Sequence, residues 1–195
     1  SVTTFESLPA ADLAGSAGTP SLSGDGARLA FQSDAANLIA SDRNAERTDP
    51  FIRDLVRGQT LIADRNGSGR QALKGARFGR SPGGAISADG TRIVFASDDD
   101  RLAGSSRHSQ ILLRDTGTGS VRKPCRRGNG ESGNAVISAD GRYIAFESLA
   151  SNFGRRDRNQ QVDVFRCDTR TGRVVRVSEP LRDSVDDSGS AFEPS

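Results

Sequence analysis

A phrase of twelve residues occurs three times in the chain: "LSGDGARLAFQS" from Leu22, "ISADGTRIVFAS" from Ile86 and "ISADGRYIAFES" from Ile137. In each copy a serine (Ser23, Ser87, Ser138) stands two residues before an Asp-Gly pair (Asp25-Gly26, Asp89-Gly90, Asp140-Gly141). An aliphatic residue follows (Leu29, Ile93, Ile144), then a phenylalanine (Phe31, Phe95, Phe146), then a serine (Ser33, Ser97, Ser148). Apolar residues alternating with small or polar ones have the two-residue period of a strand. Asp-Gly between two such strands signals a hairpin, and the spacing predicts a type I′ turn, which needs positive φ at both central residues. Repetition on this scale marks tandem units whose strands persist while their loops vary.

The echo continues downstream. "FIRDL", "LLRDT" and "FRCDT" place Asp54, Asp115 and Asp168 in register, and Gly58, Gly119 or Gly172 follows each. Then comes "QTLIA", "SVRKP" or "RVVRV", a second hairpin with Gly at its bend. Each unit therefore holds four strands. The serines are spaced by 64 and 51 residues, so the loops absorb the difference. "SVTTFES" at the start resembles a last strand without its predecessors, and "SGSAFEPS" at the end resembles the opening "AGSAGTPS". Four-stranded antiparallel units in tandem are propeller blades. The expected fold is all-β, a β-propeller segment of three four-stranded antiparallel blades. Its expected parts are an orphan outer strand and linker over 1–19, blades over 20–80, 81–133 and 134–187, and the first strand of a further blade over 188–195.

The unit "S-x-D-G-x-x-[apolar]-x-F-x-S … N-L … D-x-N … D-x-F-x-R-D … G" resembles the TolB-like, WD-type β-propeller repeat of bacterial exported proteins. The resemblance covers the whole chain, with the S-x-D-G-to-Phe segment its most specific part. Blade two departs from it, with "SSRHSQILL" where the others keep Asp and Asn. It implies a propeller used as a binding or docking platform outside the cytoplasm, periplasmic or extracellular. It implies no particular ligand, because one fold hosts many functions.

A closed ring takes about four to eight blades, so three make half of one. An open half exposes, at each flank, the apolar face that a neighbouring blade should cover. Two copies meeting head to tail would cover both flanks, and the orphan strands would blunt exposed edges. The expectation is a two-fold homodimer forming a six-bladed ring; the rival is a piece of a longer single-chain propeller.

Composition narrows the function. A net charge of +2, from 27 basic and 25 acidic side chains, gives no case for nucleic acid or an anionic membrane. With one Tyr, nine Phe and no Trp, base-stacking platforms are also scarce. No apolar run approaches the length of a membrane span. The chain contains no Met, so it is expected to start after a cleavage, with any signal peptide already removed. Cys125 and Cys167 fit neither a disulfide-rich scaffold nor a zinc site. They form either one disulfide or two buried thiols.

Two loops between second and third strands gather hard oxygen ligands: "SDRNAERTDPF" with Asp42, Asn44 and Asp49, and "RDRNQQVDVF" with Asp157, Asn159 and Asp163. Such oxygens suit calcium, which takes six to eight of them. Neither loop has the glycine and final glutamate of an EF-hand, and the competing reading is that these side chains cap their own turns. No other cofactor is expected.

Catalytic constellations are missing from the sequence. Asp25, Asp89 and Asp140 repeat because a turn repeats. His108, the only histidine, has no G-x-S-x-G elbow to serve. The first strands, "TPSLS", "GGAIS" and "NAVIS", carry no acid for glycosidase chemistry. They offer Ser21, Ser23, Ser87, Ser138 and Asn134 to a channel instead. The Asp98-Asp99-Asp100 run reads as a solvated turn. The sequence therefore supports a non-enzymatic binding or docking module whose ligand is a protein, a small molecule or a glycan. The alternatives are the propeller of a peptidase- or glycosidase-type hydrolase whose chemical residues lie outside this chain, and a purely structural self-assembling array.

Overall fold

A computed structural model describes residues 15–40, 42–44, 47–74, 76–77, 84–104, 107–125, 128–153 and 161–178. The expected orphan strands over 1–19 and 188–195 fall largely or wholly outside them. Strands β1 (Ala17–Leu22), β2 (Arg28–Ser33), β3 (Asp49–Asp54) and β4 (Gln59–Ile62) form one antiparallel sheet in chain order. β5 (Arg92–Ser97), β6 (Gln110–Asp115) and β7 (Val121–Arg122) form the second, with a single-turn helix α1 (Asp100–Ala103) after β5. β8 (Ser132–Ile137), β9 (Tyr143–Ser148), β10 (Asp163–Asp168) and β11 (Val174–Arg176) form the third.

Among the described residues the middle sheet has three strands where four were expected. In place of its first strand there are two isolated bridges, Ile86 to Ile93 and Arg77 to Ala96. These match Leu22–Leu29 and Gly18–Gln32 of blade one, so Arg77 and Ile86 hold inner-strand positions. Residues 78–83, which would join the two bridges, lie outside the described residues. In the other blades β1 and β8 begin at Ala17 and Ser132, earlier than the expected limits at 20 and 134.

The Asp-Gly turns are not type I′. Only the glycines have positive φ, at 69° (Gly26), 65° (Gly90) and 68° (Gly141). Each glycine N–H donates to the carbonyl of the serine three residues back, which leaves a wider loop closed by a left-handed glycine. The serine explains the change. Ser23 Oγ donates to Asp25 Oδ1 at 2.6 Å and accepts from Arg28 N at 2.9 Å, and Ser87 and Ser138 repeat the pattern. The hydroxyl thus takes a donor that a tighter hairpin would pair with backbone. In the second hairpins Asp54, Asp115 and Asp168 each accept two N–H groups from the following turn, the usual device of an Asx turn.

Alternation then decides what is buried. Phe31 pairs with Phe51, Phe95 with Leu112 and Phe146 with Phe165, so each blade presents one aromatic-rich face. Ala30 and Ile52, on the opposite face of blade one, pack against Ile93, Phe95 and Leu112 of blade two. Val94, Ile111 and Leu113, on the opposite face of blade two, pack against Ile144, Phe146, Phe165 and Cys167 of blade three. Phe153 closes that second core, its ring 5.2 Å from Phe165 and 5.6 Å from Phe146. Burying each large apolar side chain contributes about 1.5–3 kcal/mol, so these two interfaces hold the blades together.

Candidate functional site

The inner strands of a propeller line its channel. Of the five side chains expected there, the structure spends four on holding the fold. Ser23, Ser87 and Ser138 staple their own hairpins, and Ser21 Oγ accepts from Gly84 N and Ala85 N of the next blade, both at 3.1 Å. Asn134 differs. It sits in a register shift of β8 against β9 with φ of 48°, and its amide donates to Glu147 Oε2 at 2.6 Å. Thr19 repeats this in blade one, with φ of 49° in the shift of β1 against β2 and Gln32 donating to its Oγ1 at 2.6 Å. Non-glycine residues with positive φ are uncommon, and strained backbone of this kind gathers at ligand sites. Thr19 and its Gln32 partner were not legible as site residues, because a bulge leaves no mark in a two-residue pattern.

The seams between blades are polar as well as greasy. Gly24 N donates to Ala88 O at 2.8 Å, and Ala88 N donates to Ala139 O at 2.9 Å, one blade to the next. Arg28 Nη1 reaches the Gly90 carbonyl at 2.8 Å, and Arg92 Nη1 reaches the Gly141 carbonyl at 3.0 Å. The same positions then reach the two flanks. Ala139 N–H and the carbonyls of Gly24 and Gly26 have no hydrogen-bond partner among the described residues. Tyr143 occupies on blade three the place of Arg28 and Arg92. Arg142 and Arg166 each lie 4.9 Å from its ring centroid, and Arg142 pairs with Asp168 at 3.1 Å. A cavity of about 320 Å³ lies on this flank between Tyr143, Arg166, Asp168, Arg173 and Val175.

The two Asp/Asn loops diverge. Asp157 and Asn159 lie outside the described residues. Asp163 is held by Arg176 Nη1 at 3.0 Å and Ser178 Oγ at 2.6 Å, an ion pair with little exposure. In blade one, Asn44 Nδ2 donates to Asp49 Oδ1 at 2.9 Å, and the Gln71 amide donates to Asp42 Oδ1 at 2.8 Å and Asn44 Oδ1 at 3.0 Å. The sequence reading missed Asp64, which is fully buried beside Asp49. Burial, and then the other's negative charge, pushes the Asp64 carboxyl well above its usual range; burial is also the largest cause of the rise at Asp49.

This geometry can be set beside known structures. No protein-family model matches the chain, and no curated protein does. Among solved structures, TolB from Acinetobacter baumannii matches over 82% of this chain at 26% identity and a TM-score of 0.50. A putative TolB from Agrobacterium tumefaciens matches over 83% at 17% identity and 0.56. The β-propeller domain of the trilobed protease from Pyrococcus furiosus matches over 86% at 15% identity and 0.53. The chain is a TolB-like β-propeller. It spans 31%, 46% and 44% of those three chains, so less than half the length of each.

In this TolB-like propeller Cys125 and Cys167 form a disulfide, their Cα atoms 5.8 Å apart. The bond ties the segment after β7 to β10, across the seam of blades two and three. His108 is partly exposed, with Nδ1 at 3.3 Å from Glu131 Oε1. The Asp98–Asp100 run is not a solvated turn throughout. Asp99 is buried, caps α1 through Arg101 N, and accepts from Leu73 N and Lys74 N at 2.6 and 3.0 Å, fastening the connection between blades one and two. Among the described residues no helix is long and apolar enough to cross a membrane.

Proposed function

We propose that this half-propeller is a non-catalytic docking module of an exported bacterial protein. It closes its ring through a second copy added head to tail, and takes a peptide or glycan partner along its inner strands, beside Thr19 and Asn134. One observation carries the reading: the seam between blades is a directional relay that stops at both flanks with complementary groups. Ala139 N–H is the donor that blade three offers, and the Gly24 carbonyl is the acceptor that blade one offers. Tyr143 can donate through its phenol to the Gly26 carbonyl, as Arg28 and Arg92 do to Gly90 and Gly141. The flanks are also apolar. Leu22 is 56% exposed beside the half-buried Leu29 and Phe31, and Val164 and Val175 are 40% and 36% exposed beside Tyr143 and Ala145. Covering such patches favours association. The disulfide favours an oxidising compartment over the cytoplasm.

Sedimentation equilibrium tests this. The expected mass is twice the 20.6 kDa of the chain, falling toward one copy for Tyr143→Glu. A wild-type monomer throughout a dilution series removes the second copy and leaves further blades of a longer chain as the cover. The second reading, the propeller of a hydrolase, draws on a fold likeness to prolyl endopeptidases at a TM-score of 0.53 and 16% identity. It requires a catalytic domain beyond this chain.

A further inference from the structure

One place in the repeat fastens each closed seam. Arg53, Arg114 and Cys167 each precede a turn aspartate and lie opposite the aliphatic residue of the repeated phrase, Leu29, Ile93 and Ile144. Their fourth-strand partners are Thr60, Val121 and Val174, and an equal count onward from each reaches Asp64, Cys125 and Ser178. In the first seam Arg114 Nη1 donates to the carbonyl of Ala63 at 3.3 Å and to that of Arg65, with the Asp64 carboxyl nearby. In the second seam Cys167 is bonded to Cys125. Both joints run from the third strand of one blade to the segment after the last strand of the blade before it.

Arg53 holds this place on the open flank of blade one. A Cβ placed on Gly58 would meet Arg53 Nη2 at 3.7 Å, and one on Gly119 would meet Arg114 Nη2 at 3.7 Å, so the two guanidiniums lie over their hairpins in the same way. They differ at Nη1. Arg53 donates to Thr60 Oγ1 at 3.0 Å, whereas Arg114 has Val121 at that position, which offers no hydroxyl, and turns to the neighbouring blade. On the far flank the receiving segment is already laid out. Val177 N donates to Val164 O at 2.8 Å as Ala63 N donates to Pro50 O at 2.7 Å, so Val177 takes the place of Ala63. Val177 is 60% exposed, and the adjoining Ser178 is held to Asp163 through its hydroxyl.

We infer that Arg53 is the latch of the closing seam, exchanging Thr60 for the Val177 carbonyl of a second copy and settling beside Ser178 of that copy. The inference rests on the head-to-tail pairing proposed for the ring and names the side chain that fastens it. The chemistry suits an interface, because a guanidinium is more weakly hydrated than an ammonium and its rigid fork can serve several acceptors at once. Its acceptor is a backbone carbonyl, so the match depends on the path of the receiving segment. A two-copy ring has two such seams, and each copy supplies one arginine and one receiving segment.

The second seam supplies the probe. Cysteines at the places of Cys167 and Cys125 should bond across the closing seam, and those places are Arg53 and Ser178. Full-length Arg53→Cys and Ser178→Cys chains would be mixed in a glutathione redox buffer, run on a non-reducing gel, and the linked peptides mapped by mass spectrometry. A link between position 53 of one copy and position 178 of the other is expected. In sedimentation, Arg53→Leu is expected to raise the dimer dissociation constant by about 100-fold, about tenfold for each of the two seams, with the melting temperature of the separated copies unchanged. If either cysteine variant does not fold, Arg53→Leu decides alone. A wild-type protein that stays monomeric overturns the latch together with the head-to-tail pairing. A wild-type dimer that yields no such link, or that Arg53→Leu leaves as tight as before, overturns the latch and leaves the pairing standing.

Discussion

Removing the Cys125–Cys167 bond tests how much the seam between blades two and three relies on a covalent tie. The variant of choice is Cys125→Ser. Cys167 is fully buried in the second core, so deleting its sulfur would add a cavity to the effect being measured, whereas Cys125 is only partly buried. The bridge spans 42 residues of sequence. A closed loop of that length restricts the unfolded chain by about 4 kcal/mol in the chain-entropy treatment. For a domain of about 200 residues each kcal/mol moves the melting temperature by about 2–4 °C, so the expected fall is about 8–16 °C. Thermal melts followed by circular dichroism would compare oxidised wild type, reduced wild type and Cys125→Ser, with thiol titration under denaturing conditions verifying each state. Reduced wild type and the variant should coincide, both well below the oxidised protein. If all three melted within about 2 °C of one another, the argument that this bond constrains the unfolded chain would fail.

Two further outcomes follow from the turns. Gly90→Ala should cost more than Gly26→Ala in urea unfolding. Both glycines have positive φ, worth about 1–2 kcal/mol to a side chain, but a Cβ at Gly90 also meets Arg28 Cδ at 2.8 Å while one at Gly26 meets nothing. Measured in a Tyr143→Glu background, which keeps the flank at Gly26 open, equal losses would mean that the Arg28 staple carries no weight. Acid should weaken the fold in a definite direction. The Ser23, Ser87 and Ser138 hydroxyls hold the carboxyls of Asp25, Asp89 and Asp140 below their ordinary values, and backbone amides do the same for Asp54, Asp115 and Asp168. Groups with lowered folded values stabilise fully above the unfolded carboxylate range and lose that contribution as pH falls through the folded values. Urea midpoints should therefore drop below about pH 4, and by less in Asp89→Asn than in wild type.

The repeat made the architecture legible, because strand alternation and the Asp-Gly pairs are local signals. The repeat alone puts Phe31, Phe95 and Phe146 in register, and each shares its face with the partner expected of a second strand. The turn class was misjudged because a side chain entered the backbone pairing: the Ser23 hydroxyl takes Arg28 N, and no dipeptide rule registers that. For the same reason the sequence does not show that the Ser23, Ser87 and Ser138 hydroxyls are taken up by their own hairpins. Asp64 was invisible to a search for closely spaced acids, since it meets Asp49 only through the return of β4. The neutralised state of Asp163 likewise depends on Arg176, one strand away. Cross-strand register decides such sites, and register is a property of the folded sheet.

The relay from Gly24 to Ala88 to Ala139 gives every joint an arrow. Two like flanks brought together would oppose acceptor to acceptor or donor to donor, so a second copy of the kind proposed would have to add in the same sense around the channel. A subunit spoiled at one end still presents an intact other end. In the two-copy ring proposed above, such a subunit would close one seam with a normal partner and leave the other seam open, so each defective copy would spoil only the ring that it enters.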